Sequence, residues 1–332
     1  WPLRFTRSGA VFFEKNTTTR DVYFADIDPS SGKILSKPRK AALIEGRNKC
    51  PAWSPDGRFL AYTSSSGGQD SLIGIRDTQD GTVREINSDT GPFMNPLWSL
   101  DGRSIFALRY AQGVYRIDVD SGQATLITKG LGYRSSAWPW WSWHPDGKSF
   151  YVGTGRKSFT NYDLETGGER EIQVQREISI KGRRRWASAV LSPDCTQNVR
   201  SVTYRDAAGT VTRTISVMPI SGGEPRRLVE LIGPEAIEKI LLTQGLDNAL
   251  CWTPDGRYVL FVKANPNNQN LRSLWRVPVA GGEPEDLGLE MDRLRHPVIS
   301  ADGRKIAFTA GGSKTEVWVM ENFLPNGQAA AQ

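Results

Sequence analysis

Read for its apolar and polar positions, the chain repeats one phrase: a large apolar residue, a polar turn of four residues, then a short apolar strand. The turn is clean at Ser54-Pro55-Asp56-Gly57 and Thr253-Pro254-Asp255-Gly256. Variants stand at Ser99-Leu100-Asp101-Gly102, His144-Pro145-Asp146-Gly147, Ser192-Pro193-Asp194-Cys195 and Ser300-Ala301-Asp302-Gly303, and a worn copy, Thr6-Arg7-Ser8-Gly9, opens the chain. Counted from their first positions (6, 54, 99, 144, 192, 253, 300), the copies recur every 45 to 48 residues apart from one gap of 61. The residue before each is Phe5, Trp53, Trp98, Trp143, Leu191, Trp252 or Ile299. Proline presets φ, aspartate accepts local N–H bonds and glycine takes positive φ, so each copy predicts strand–turn–strand.

A third strand follows in several copies, as at Val22-Tyr23-Phe24-Ala25, Leu274-Trp275-Arg276-Val277 and Val317-Trp318-Val319-Met320. A glycine turn then leads to a fourth, as after Asp118-Val119-Asp120-Ser121-Gly122 or Val279-Ala280-Gly281-Gly282. Four short strands at this period predict a β-propeller. The expected fold is all-β: one domain over residues 1–325, a seven-bladed propeller of four-stranded antiparallel blades, followed by a flexible tail over 326–332. Blades are expected to start near residues 4, 50, 94, 138, 187, 248 and 295, or to number six if the worn first copy does not complete one. The last repeat shows three strands and no fourth, so a closing strand is expected from upstream of Trp1.

Composition changes this picture little. The 33 glycines, 19 prolines and 11 tryptophans fit short strands and tight turns. No apolar run is long enough for a membrane helix, and no secretory leader pattern opens the chain. Cys50, Cys195 and Cys251 lack C-x-x-C spacing and are too few for a disulfide framework. The net charge of +6 favours anionic partners.

The phrase from Pro51 to Tyr62, x-P-x-W-S-P-D-G-[RK]-x-Φ-A-[FY] with Φ apolar, resembles the TolB-type, WD-like propeller repeat. The opening Asp21–Asp28 and the ending Glu316–Pro325 are similar to C-terminal propellers of bacterial signalling proteins. In that group a winged-helix DNA-binding domain or a Ser/Thr kinase typically precedes the propeller, often across a membrane segment. The resemblance implies an upstream effector and favours an extracytoplasmic over a cytoplasmic location.

Residues 136–150, SAWPWWSWHPDGKSF, carry four tryptophans. Trp143 holds the repeated position and Trp141 lies on the same strand, so both are expected to be scaffold. Trp138 and Trp140 fall in the connection between blades, which opens on the face opposite the Pro-Asp-Gly turns. Other such connections bring Arg47 and Asn48, Tyr133 and Arg134, Lys181 and Arg183 to Trp186, and Arg293, Arg295 and His296 toward the same channel mouth. The expected ligand-binding residues are Arg47, Asn48, Arg134, Trp138, Trp140, Arg183, Arg184, Trp186, Arg295 and His296. Arginine forks suit carboxylate or phosphate, and rings suit stacking. A solvated basic loop is the plainer reading of 181–185. Gly233–Leu242 reads as a short amphipathic helix near the mouth.

Catalytic signatures are missing. The two histidines, His144 and His296, form no H-E-x-x-H or metal-ligand cluster, and no G-x-S-x-G elbow, P-loop or dinucleotide fingerprint occurs. No cofactor is expected. The sequence therefore points to a non-catalytic binding or sensory propeller that takes an anionic small molecule, glycan or peptide. The rival is a lyase or glycosidase on an acidic sugar, using carboxylates such as Asp247, Glu290 and Asp292. Nucleic acid is disfavoured for want of a recognised motif.

Overall fold

The computed structural model describes residues 4–5, 11–42, 48–65, 72–86, 92–109, 112–129, 141–153, 158–173, 183–236 and 249–320. Their strands form six four-stranded antiparallel sheets and one of three strands. Blade one runs from Lys49–Trp53 through Phe59–Ser64 and Leu72–Asp77 to Val83–Ile86. The next four blades begin with Met94–Trp98, Trp141–Trp143, Arg183–Leu191 and Leu250–Trp252. Blade six begins with Arg295–Ile299 and Lys305–Ala310, then takes Asp21–Asp26 and Arg39–Lys40 as its third and fourth strands.

Each seam between blades has its own apolar cluster. Ile75 and Trp98 sit between blades one and two, Phe106 and Phe150 between two and three, and Tyr151 and Leu191 between three and four. Val199 and Phe261 join blades four and five, Leu260 and Phe308 five and six, and Phe24 and Leu60 six and one. Six clusters return the ring to its start, so the blades number six and not the seven of the main expectation. The reason lies in pairing. Val22–Ala25, which reads as the third strand of a first blade, belongs to the last. Arg4–Phe5 instead pairs with Val11–Thr18, whose other neighbour is Ser313–Met320; the worn turn at residues 6–9 lies outside the described residues.

The closure is one continuous ladder. Val11 faces Met320, Thr18 faces Ser313, Asp21 faces Ala310 and Asp26 faces Lys305, and every pair sums to 331. The closing strands thus come from within the chain, in place of the expected upstream strand. Beyond Ala310 the ladder leaves the ring as a ribbon that exposes Phe12 and Val317–Met320.

The repeated tryptophans are scaffold, as expected. The Trp53 indole N–H donates to the Val298 carbonyl at 3.3 Å, Trp98 to Ala52 at 3.1 Å, Trp252 to Val190 at 3.0 Å, and Trp143 to Trp98. Each bond crosses to the inner strand of the preceding blade. Where blade four has Leu191 instead, the Cys195 thiol lies 3.6 Å from the Trp143 carbonyl.

Candidate functional site

Each inner strand begins at one face of the ring and ends in its tetrad at the other. Connections between blades therefore open on the first face, the mouth. In blades one, two and six the inner strand starts with the same device: Cys50, Asn95 and His296 adopt φ of 55, 53 and 49° immediately before Pro51, Pro96 and Pro297. A left-handed residue before proline is unusual, because proline drives its predecessor toward extended backbone. Here it sits in a bulge. Lys49 faces Thr63 but Ala52 faces Ala61, Met94 faces Leu108 but Leu97 faces Phe106, and Arg295 faces Thr309 but Val298 faces Ala307. One extra residue in each inner strand re-aims its mouth end, as bulges do. The Asn95 N–H donates across the seam to the Thr63 hydroxyl at 3.0 Å.

This device draws two of the expected ligand residues inward. Asn48 is 1% exposed; its side-chain amide donates to Asp21 at 2.9 Å, and its N–H donates to the Arg20 carbonyl at 2.8 Å. Asp21 also holds Lys40 at 3.2 Å. Arg295 is 6% exposed, and its Nε donates to the Arg293 carbonyl at 3.1 Å. His296 is half-buried at the bulge. Arg47, Tyr133, Arg134, Trp138, Trp140, Lys181 and Asp247 lie outside the described residues. Glu290 accepts the Asn265 amide at 3.1 Å.

Residues 183–186 are strand, not the basic loop of the plainer expectation. Arg183 faces Arg205, Arg184 faces Tyr204 and Arg185 faces Thr203, with a bulge before Ala187. The inner strand of blade four has nine residues, against five in blades one, two and six. At ~3.3 Å per residue, four extra residues project this strand about 13 Å further on the mouth side. Gly233–Glu235 forms a single 3-10 turn where the helix was expected, and residues 237–248 lie outside the described residues.

A row of arginines beneath the mouth escaped the sequence reading. Arg213 and Arg272 each stand six residues before the proline that ends a third strand, Pro219 and Pro278. Arg213 is buried. Its Nε donates to the Ser201 hydroxyl and its Nη1 to the Val262 carbonyl of the next blade, both at 2.7 Å. Burial pushes its guanidinium down to about 10, and it makes no ion pair among the described residues. Arg272 repeats the motif one blade on, donating to the Leu294 carbonyl at 3.3 Å. The Arg213 guanidinium, held by neutral oxygens, keeps its charge uncancelled in a low-dielectric seam.

Among the described residues no group of three His, Cys, Asp or Glu could hold a metal ion, and no helix is long and apolar enough to cross a membrane.

No family model matches the chain. It is 26% identical over 151 residues to a TolB homolog from Chlorobium chlorochromatii, covering 45% of this chain and 32% of that protein. Over 323 residues it is 26% identical to the WD repeat-containing protein 26 homolog of Arabidopsis thaliana, covering 94% and 47%. The chain thus spans less than half the length of these curated relatives. A structure described as TolB from Agrobacterium tumefaciens superposes with a TM-score of 0.56 at 18% identity, covering 89% of this chain and 99% of that one. In fold the chain is a TolB-type, WD-like β-propeller.

Proposed function

We propose that this propeller is a non-catalytic binding domain that captures an anionic small molecule, glycan or peptide at the channel mouth. In this reading it serves as the sensory or interaction part of a larger bacterial signalling protein. The proposal is supported by the long inner strand of blade four, whose additional residues, Arg183 to Trp186, lie at its mouth end. Guanidinium forks match carboxylate and phosphate bidentately. The buried Arg213 below adds positive potential that reinforces anion capture.

Isothermal titration with uronate oligosaccharides, sulfated oligosaccharides and acidic peptides tests the reading. The expected outcome is binding by at least one class, weakened about tenfold or more by Arg183→Ala with Arg184→Ala at unchanged melting temperature. Affinity that ignores the double substitution would overturn it. Turnover of a uronate oligosaccharide would move the chain to the enzyme reading.

A further inference from the structure

The sixth blade departs from the repeat at two neighbouring places. Ile299 stands where four other blades have tryptophan, and Ala301 stands where four other tetrads have proline. The first of these removes bulk at the seam between blades five and six, on the face opposite the mouth. A cleft opens there, lined by Ile299, Ala301, Leu260, Leu287, Arg276 and Asp302 among others.

The sister seams show what such a space holds. Between blades six and one, Trp53 packs edge-on against Phe24, 6.3 Å between centroids, and clusters with Ala307. Phe24 and Ala307 face each other across the second and third strands of blade six. The pair at the same register in blade five is Arg276 and Leu260, two of the walls of the cleft. A wall that pairs an arginine with a large apolar residue accepts an indole elsewhere. In blade two the equivalent pair is Arg116 and Phe106, and Trp143 packs against Phe106 at 5.1 Å and 89°. The acceptor also has a counterpart. Trp53, Trp98 and Trp252 donate to Val298, Ala52 and Val190, each one residue before the end of the preceding inner strand. In blade five that residue is Cys251.

The cleft is preformed. Arg276 donates to Glu285 through Nε at 2.8 Å and to the Ser30 carbonyl through Nη1 at 3.0 Å, and it stacks over Tyr258 at 4.1 Å. Asp302 is tied to the Ser300 hydroxyl at 2.6 Å. A ligand entering between them has little to order, which lowers the cost of binding.

We infer that this cleft is a binding site for an indole, or a ring of similar size bearing an N–H donor, that takes the place of the missing sixth tryptophan. The ring can arrive free or as the tryptophan of a peptide. Two probes separate these sources: 5-fluoroindole and N-acetyl-tryptophanamide. Isoleucine-methyl NMR of the wild-type protein is expected to shift Ile299 and Ile27, which line the cleft, with either probe. Ile299→Trp restores the repeat residue, should keep or raise the melting temperature, and should weaken binding about tenfold or more. Response to 5-fluoroindole alone assigns a free small molecule; stronger response to the amide assigns a peptide side chain. Absence of shifts at Ile27 and Ile299 with both probes overturns the site whether or not the variant folds. So does binding that survives in a folded Ile299→Trp protein.

Discussion

On the turn face, the tetrads of blades one, two, four, five and six make nearly the same bonds, whereas on the mouth face blade four stands apart from its neighbours. Ser54, Ser99, Ser192, Thr253 and Ser300 each donate a hydroxyl to the aspartate two residues on, at 2.5 to 2.6 Å. In return each accepts the N–H five residues on, from Phe59, Ser104, Gln197, Tyr258 or Lys305, at 2.8 to 3.0 Å. The fourth position has positive φ in all six described copies, and even Cys195 adopts 56° there. At the mouth, blades one, two and six share a bulge before proline, while blade four extends four residues further. The turn face is local chemistry repeated; the mouth is built by contacts between blades. Structural damage should therefore concentrate at the seams and turns, and changes in binding at the mouth.

The largest effect is expected from Trp98→Ala. It removes a 4% exposed ring from the cluster between blades one and two and frees the Ala52 carbonyl. A loss of about 3–5 kcal/mol in urea unfolding is expected, in line with other buried tryptophans. A loss below about 1 kcal/mol would mean that the seams, contrary to the comparison, do not carry the ring.

An intermediate effect is expected from Ser99→Ala, which deletes both tetrad bonds and leaves the Ser104 N–H without its acceptor. About 2 kcal/mol should be lost at neutral pH. The Ser99 hydroxyl, then the Arg103 N–H, hold the Asp101 carboxyl below its usual range. A folded-state value below the unfolded one, near 3.9, stabilises fully above that unfolded value and fades as pH falls through the folded one. The gap between wild type and variant should therefore narrow in acid, below about pH 4. A gap that widens in acid would show that Asp101 is not the partner that matters.

The smallest effect on stability is expected from Arg184→Ala, under about 0.5 kcal/mol by thermal unfolding, because its strand projects past the seams. A larger loss would place Arg184 in the scaffold and remove the contrast between the two faces.

The mouth was only partly legible because its residues are set by neighbours distant in sequence. Asn48 and Arg295 read as mouth residues and stand at its inner-strand ends, but beside the bulges before Pro51 and Pro297 they are buried hydrogen-bonding groups. Arg183–Arg185 reads as a basic loop until Arg205, Tyr204 and Thr203 are seen to pair with it. Arg213 and Arg272 carried a faint signal, their equal distance from Pro219 and Pro278, that only the aligned blades make meaningful.

The sequence alone determined the repeating unit, its turns and the scaffold role of Trp53, Trp98, Trp143 and Trp252, because a hairpin's bonds close within a few residues of each tetrad. Only the tertiary structure decided the number of blades. Val22–Ala25 has the pattern of a third strand anywhere in the ring, and nothing local says that Ala25 must face Ile306. The cleft beside Ile299 likewise depends on a side chain that is missing, and an absent indole opens space only once the walls that would have held it are in place.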